Sequence, residues 1–216
     1  MSKNSPKAQA PTFDREQDLY EKKFQVVVGL DEVGRGALAG PVFAGSVFLG
    51  SSSVVYRDIS IRDSKQLSQR ARERSCRELL TQLAENGDFA IGSASVEEID
   101  EYGIAPATKM AMVRAVQSMQ VHPDAMLIDA VSLAGSSIYQ ESIVRGDQIS
   151  LSIAAASIIA KVTRDRLMVD MDLEYPGYGF AGNKGYGSAD HMRALRDLGP
   201  SSFHRRSFQP IRGMLG

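Results

Sequence analysis

Val26-Val27-Val28-Gly29-Leu30-Asp31-Glu32-Val33-Gly34-Arg35-Gly36 is a β-branched run that ends in two adjacent carboxylates and a glycine-flanked arginine. β-Branched residues favour a pleated strand, and a short apolar run bounded by glycine reads as a buried one. Such a strand has no structural use for Asp-Glu at its end. Two anions brought together in a partly desolvated place repel, and each loses solvation. A divalent cation is the economical neutraliser. The Gly-Arg-Gly that follows lets backbone approach a ligand closely and supplies a planar cation for phosphate. Neighbouring residues on a regular strand point to opposite faces, so Asp31 and Glu32 share a site only where the strand end twists or turns.

The 216 residues fit one domain, and 43% hydrophobic residues are enough for a sizeable core. A net charge of −1 argues against a protein that binds nucleic acid by bulk charge, though not against a local basic groove. The single cysteine, Cys76, excludes a disulfide framework or a thiolate metal cluster and points to a reducing, cytoplasmic location. Residues 1–23 are polar and mixed in charge, so no secretory leader is expected there and they read as a flexible tail. The longest apolar stretch, residues 149–160, is interrupted by serines and too short for a membrane span.

Strand patterns cover residues 24–30 and 41–49, with a weaker one over 54–61. A helix capped by Ser68 ends at Asn86-Gly87, and strand 89–96, a helical turn at 97–102 and helix 105–119 follow. Ala125-Met126-Leu127-Ile128-Asp129 is a second apolar run ending in aspartate. An edge strand over 138–144 leads to Arg145-Gly146-Asp147, a long helix covers 150–174, residues 177–187 are glycine-rich, and a last helix covers 188–198. Strands first, then alternating helices and strands, predict a mixed α/β sheet flanked by helices.

Strands running side by side in one direction bring their carboxyl ends together, so Asp31, Glu32 and Asp129 can meet, with Asp147 as a fourth acid. Carboxylates without sulfur ligands favour magnesium or manganese, and two such ions suit phosphoryl transfer. An aspartate after a strand also forms turns or caps helices, so Asp129 and Asp147 taken singly carry both readings. Asp165, between Arg164 and Arg166, reads as part of a solvated ion-pair face. Lys184, Arg193, Arg196, Arg205, Arg206 and Arg212, set against Asp190 and Asp197, form a local cationic excess that could track phosphates. A nucleotide-binding phosphate loop at Gly34-Arg35-Gly36 is the weakest rival reading, because no lysine followed by Ser or Thr closes the glycine-rich segment.

In chain order, several segments together resemble bacterial ribonuclease HII. They are Gly-Leu-Asp-Glu-Val-Gly-Arg-Gly (29–36), Ala39-Gly40-Pro41-Val42, Asp-Ser-Lys-Gln-Leu (63–67), Leu-Ile-Asp (127–129), Arg-Gly-Asp (145–147), residues 153–165, Asn-Lys-Gly-Tyr-Gly-Ser (183–188) and His-Arg-Arg-Ser-Phe (204–208). The resemblance implies a ribonuclease H-like fold over residues 24–216, with residues 177–216 as a helical, substrate-contacting C-terminal extension. It implies cleavage of RNA in RNA–DNA hybrids and incision of duplex DNA at single ribonucleotides, by a monomer. Asp31, Glu32, Asp129 and Asp147 fall on the family's metal-binding carboxylates. Gly34, Arg35 and Gly36 fall on the element that senses the ribose 2′-hydroxyl, Tyr186 on the tyrosine that packs on the junction sugar, and Ser64 and Lys65 on a phosphate-contacting loop. Arg145 stands where the family has lysine and Ser188 where it has threonine, which keeps the charge and the hydroxyl.

Overall fold

The computed structural model describes residues 10–62, 64 and 67–216. Five strands, β1 (Val27–Val33), β2 (Val42–Phe48), β3 (Asp88–Ala94), β4 (Ala125–Asp129) and β5 (Tyr139–Ile143), form one mixed sheet in the order β3-β2-β1-β4-β5. β4 runs parallel to both β1 and β5. The helices are α1 (Asp14–Glu21), α2 (Gln69–Asn86), α3 (Val96–Tyr102), α4 (Ile104–Gln117), α5 (Leu151–Glu174), α6 (Phe180–Asn183), α7 (Ala189–Leu198) and α8 (Ile211–Met214). None of the described helices is long and apolar enough to cross a membrane.

The chain divides into two compact units. One comprises residues up to Asp31, Val47–Phe89 and Gln120–Ile158; the other comprises Glu32–Ser46, Ala90–Met119 and Ile159–Gly216. In the first, Val27, Ala125, Leu127, Ile143 and Ile153 close over Leu19. The start of α5 lies so near β1 that a Cβ on Gly29 would meet the Ser152 carbonyl carbon at 2.2 Å, which is why the valine run is broken by glycine there. In the second, Leu38, Ala39, Met168, Tyr178, Phe180, Leu195 and Ile211 form the core.

Local chemistry sets the ends of several helices. The Ser68 hydroxyl accepts the Ala71 N–H at the start of α2. Ser95 and Glu98 form a reciprocal cap on α3, and the Ser188 hydroxyl accepts the His191 N–H on α7.

Two sequence expectations need correction. Residues 10–23 are not a tail. α1 lies there, with Leu19 and Glu16 buried, and Glu16 Oε1 accepts the Ser150 hydroxyl at 2.6 Å and the Ser152 N–H at 2.8 Å. An eight-residue helix with a low apolar content shows little periodicity by itself, and its burial comes from distant residues. Nor is 54–61 a strand. A single 3₁₀ turn, Val54–Tyr56, forms instead, with only Tyr56 and Ile61 buried and Val54 and Val55 exposed. Apolar residues five apart cannot line one face of a period-two strand.

Glu16→Ala removes the acceptor for three donors at the start of α5, the Ser150 and Ser152 hydroxyls and the Ser152 N–H. It is expected to destabilise the protein by about 2–4 kcal/mol in urea denaturation, the cost of stranding buried groups that bonded to a charge. An unchanged midpoint would return the segment to the status of a tail.

Candidate active site

β1 and β4 are parallel and in register through Leu30 and Ile128, so Asp31 and Asp129, the residues that follow, emerge at the same edge. Carboxylate atoms of Asp31, Glu32 and Asp129 all lie within 4.8 Å of one another. Asp31 is buried, and the other two are half-buried. The adjacent Asp31 and Glu32 thus converge, which needs strand twist and the longer glutamate side chain. Glu32 Oε1 accepts a hydrogen bond from Arg35 Nη1 at 3.2 Å.

Asp147 is not in that group of three, but its turn is tied to it. Arg145 adopts a left-handed backbone at φ 58°, and the N–H of Gly146 donates to Asp129 Oδ1 at 2.8 Å. Asp147 follows in a buried 3₁₀ turn. All three ligand groups are oxygen donors, without histidine or cysteine, and they fit a hard divalent cation better than zinc or copper.

The glycines of Gly34-Arg35-Gly36 differ in environment. Gly34 has φ +92°, and a Cβ there would lie 2.2 Å from Arg164 Nε; at Gly36 a Cβ would meet nothing within 4 Å among the described residues. Two fully buried arginines brace the segment after β1. Arg205 donates to the carbonyls of Gly34, Arg35 and Gly40 at 2.7–2.9 Å. Arg164 donates to those of Ala39, Pro41 and Lys184 at 2.9–3.0 Å. Burial lowers the pKa of both, and the charge of Arg164 adds to burial in bringing Arg205 down to about 9.

The sequence reading missed this brace. It set Arg164 beside a solvated face and Arg205 among phosphate-tracking cations. A signal existed in the spacing Ala156, Ala160, Arg164, Met168, one four-residue row of α5 that is buried throughout. Lys184 is also buried, with its ammonium on the Ala181 carbonyl, so of the six cations Arg193, Arg196, Arg206 and Arg212 are the exposed ones. Asp165 does pair, with Lys161 at 2.6 Å, but the pair is half-buried. The Ser64 hydroxyl is buried against that of Ser157 at 2.9 Å, and Lys65 lies outside the described residues.

Tyr186 is 37% exposed. Its ring lies 5.6 Å from the Arg164 guanidinium and 5.8 Å from Lys161 Nζ. The turn carrying it is held by Gly185, whose carbonyl accepts the Leu38 N–H at 2.7 Å, and by Asn183, whose side chain bridges Gly185 N–H and the Tyr178 carbonyl. Beneath it His191 and His204 are buried, with their Nε2 atoms 3.0 Å apart. Burial lowers the pKa of both histidines, and the neighbouring His191 helps bring His204 to about 4.

A histidine that resists protonation when folded stabilises the fold fully above its unfolded pKa of about 6.5. That contribution falls as the pH drops from there towards 4, because the unfolded chain takes up a proton that the folded one refuses. The gap in denaturation midpoint between wild type and His204→Gln is therefore expected to be widest above about pH 6.5 and to narrow towards pH 4. A constant gap would show that the pair does not titrate this way.

Comparison with known proteins agrees with this arrangement. The family model described as Ribonuclease HII matches residues 28–211. A ribonuclease HII from Chloroflexus aggregans is 50% identical over 210 residues, covering 95% of this chain and 97% of the relative. One from Chloroflexus aurantiacus is 49% identical over 205 residues, covering 93% and 94%. Among solved structures, the ribonuclease H2 from Pyrococcus horikoshii OT3 superposes with a TM-score of 0.72 at 26% identity, covering 87% of this chain and 96% of that one. A Bst-RNase HIII in complex with Mn2+ shares the fold, with a TM-score of 0.64 at 20% identity over 88% of this chain and 69% of that one. The chain belongs to the ribonuclease HII family, and it is a divalent-metal-dependent endonuclease of the ribonuclease H type.

Proposed function

We propose that this enzyme cleaves RNA in RNA–DNA hybrids and incises duplex DNA on the 5′ side of single embedded ribonucleotides, leaving 3′-hydroxyl and 5′-phosphate ends. The observation that carries the reading is the convergence of Asp31, Glu32 and Asp129 at the ends of two parallel strands, one of which runs directly into Gly34-Arg35-Gly36. Asp31, Glu32, Asp129 and Asp147 would hold two magnesium or manganese ions. When bound, these supply an activated water and charge neutralisation at the departing 3′ oxygen.

The protein's own groups do the selecting and the positioning. Main-chain groups of Gly34, Arg35 and Gly36 read the ribose 2′-hydroxyl, the group that distinguishes RNA from DNA. Among the described residues no atom lies within 4 Å of a Cβ position on Gly36, and space there for a sugar supports this role. Arg35, hydrogen-bonded to Glu32, places a cation between the acids and an incoming phosphate. Tyr186, exposed on a braced turn, packs on the sugar at the ribonucleotide–deoxyribonucleotide junction. Residues 177–216 contact the duplex, and the exposed Arg193, Arg196, Arg206 and Arg212 supply salt-sensitive phosphate contacts. The phosphate role of Ser64 and Lys65 rests on the family resemblance alone, since the Ser64 hydroxyl is turned inward. We place the activity in the cytoplasm, in keeping with one buried cysteine outside any disulfide, and we take the enzyme to act as a monomer on the family resemblance alone.

The first test is incision of a labelled duplex carrying one ribonucleotide, with and without divalent cation, beside an all-DNA duplex. Asp129→Asn is expected to lower turnover by about three orders of magnitude, since metal ligation is worth several kcal/mol of transition-state stabilisation, with circular dichroism unchanged. Turnover near wild type would reject the assignment. Tyr186→Ala is expected to reduce single-ribonucleotide incision about tenfold more than hybrid cleavage, the scale of one lost stacking contact. Equal losses would argue against a junction role.

A further inference from the structure

The main chain at Tyr186 sits between two glycines, Gly185 and Gly187, and Gly185 itself has φ +80°. Such a segment has wide conformational freedom unless something restrains it. The Tyr186 carbonyl accepts two hydrogen bonds, one from the Ser188 N–H at 2.8 Å and one from His191 Nδ1 at 2.9 Å. His191 Nε2 meets His204 Nε2 at 3.0 Å, and His204 Nδ1 in turn meets the Ser201 N–H at 3.0 Å and the Ser201 hydroxyl at 2.8 Å.

The two ends of this row fix every proton in it. A backbone N–H can only donate, so His204 Nδ1 is an unprotonated acceptor. The proton of neutral His204 is then on Nε2 and points at His191 Nε2, which must accept. The proton of His191 is left on Nδ1, where it meets a carbonyl that can only accept. Both rings are neutral, each with one proton. An added proton on His204 would face the Ser201 N–H, and one on His191 would face the N–H of His204. The surroundings agree, with His204 4.8 Å from the Tyr178 ring, His191 5.5 Å from Phe180, and neither histidine exposed. A shared metal is the wrong reading. Two nitrogens on a tetrahedral zinc lie about 3.3 Å apart and aim at the ion, and here one of the four ring nitrogens is on a carbonyl and another on an N–H.

We propose that His191 and His204 are positioning residues for substrate recognition: as a neutral hydrogen-bonded pair they fix the main chain of Tyr186, and so hold its ring where it engages the sugar at a ribonucleotide–deoxyribonucleotide junction. The inference rests on the junction role proposed for Tyr186. α7 supplies the restraint on the carbonyl, while Arg164 and Lys161 of α5 flank the ring, so main chain and ring are held from different helices.

Two amide variants separate positioning from packing. In His191→Asn the side-chain amide can fall where Nδ1 was and still donate to the Tyr186 carbonyl. In His191→Gln it falls nearer the Nε2 position and cannot. His191→Gln is expected to lower kcat/KM on a duplex with one ribonucleotide by about tenfold, the cost of a misplaced recognition group, with hybrid cleavage changed less than threefold. His191→Asn should stay close to wild type on both substrates. In a Tyr186→Ala background His191→Gln should have no further effect.

Equal losses for the Asn and Gln variants, or equal losses on the two substrates, would overturn the inference while leaving the role of Tyr186 standing, provided Tyr186→Ala alone is selective. Without selectivity in Tyr186→Ala, both fall together. ¹⁵N chemical shifts of the wild-type histidines test the same point without a variant. A proton on Nδ1 of His191 and on Nε2 of His204 supports the pair, and either ring in the opposite tautomer or cationic at pH 7 overturns it.

Discussion

Three carboxylates held within 4.8 Å of one another repel by about 3–4 kcal/mol per pair at the effective dielectric of a protein near its surface. No local preference would assemble them. Two parallel strands in register do, because each strand delivers its acid one step past a paired apolar residue, Leu30 or Ile128. The sheet and its buried residues carry this electrostatic cost, and the tie from Gly146 to Asp129 extends the same arrangement to the turn that carries Asp147. A cation that neutralises the cluster relieves that repulsion, which is one contribution to metal affinity.

A second constraint governs the irregular segments. Residues 34–41 and 184–188 leave the sheet and helices, and their carbonyls need donors. The protein supplies them from side chains with many N–H groups and no acceptor. The two buried guanidiniums satisfy six carbonyls, and the neutral histidine pair reaches a seventh at Tyr186. No carboxylate is among the hydrogen-bond partners of these arginines in the described residues, so peptide carbonyls make their direct contacts while Asp165 and Asp100 act on Arg164 and Arg205 from further away. Their planar forks are rigid, and three hydrogen bonds apiece fix the carbonyl positions more tightly than a lysine could. This is also why the C-terminal segment looks more basic in sequence than its surface is.

Much of this was legible from residue order. β1 and β4 follow from apolar runs that stop at acids, and Ser68 was readable as a cap because a hydroxyl before a helical pattern has a local partner. Asp147 could not be placed from spacing, since its position depends on a left-handed Arg145 and a hydrogen bond across 17 residues of chain. Arg164 and Arg205 were misjudged for a related reason. An arginine is normally at the surface, and what keeps these two inside is a set of carbonyls distant in sequence. α1 escaped notice because its two buried residues are three apart and one of them is a glutamate whose partners begin at Ser150.

The two glycines of the Gly-Arg-Gly segment show how one motif can answer to two masters. At Gly34 the protein itself forbids a side chain, by a positive φ and by the guanidinium of Arg164 lying where a Cβ would go. At Gly36 no described residue stands in the way of a side chain, and the backbone is not in the left-handed region. A glycine that folding does not require, next to one that it does, points to a constraint from outside the chain. The close approach of a ligand's backbone or sugar is such a constraint, and it acts only when substrate is bound. On the proposed reading, Gly34 serves the stability of the brace and Gly36 serves recognition. A methyl group added at each would separate the two, reducing stability at the first position and discrimination between ribose and deoxyribose at the second.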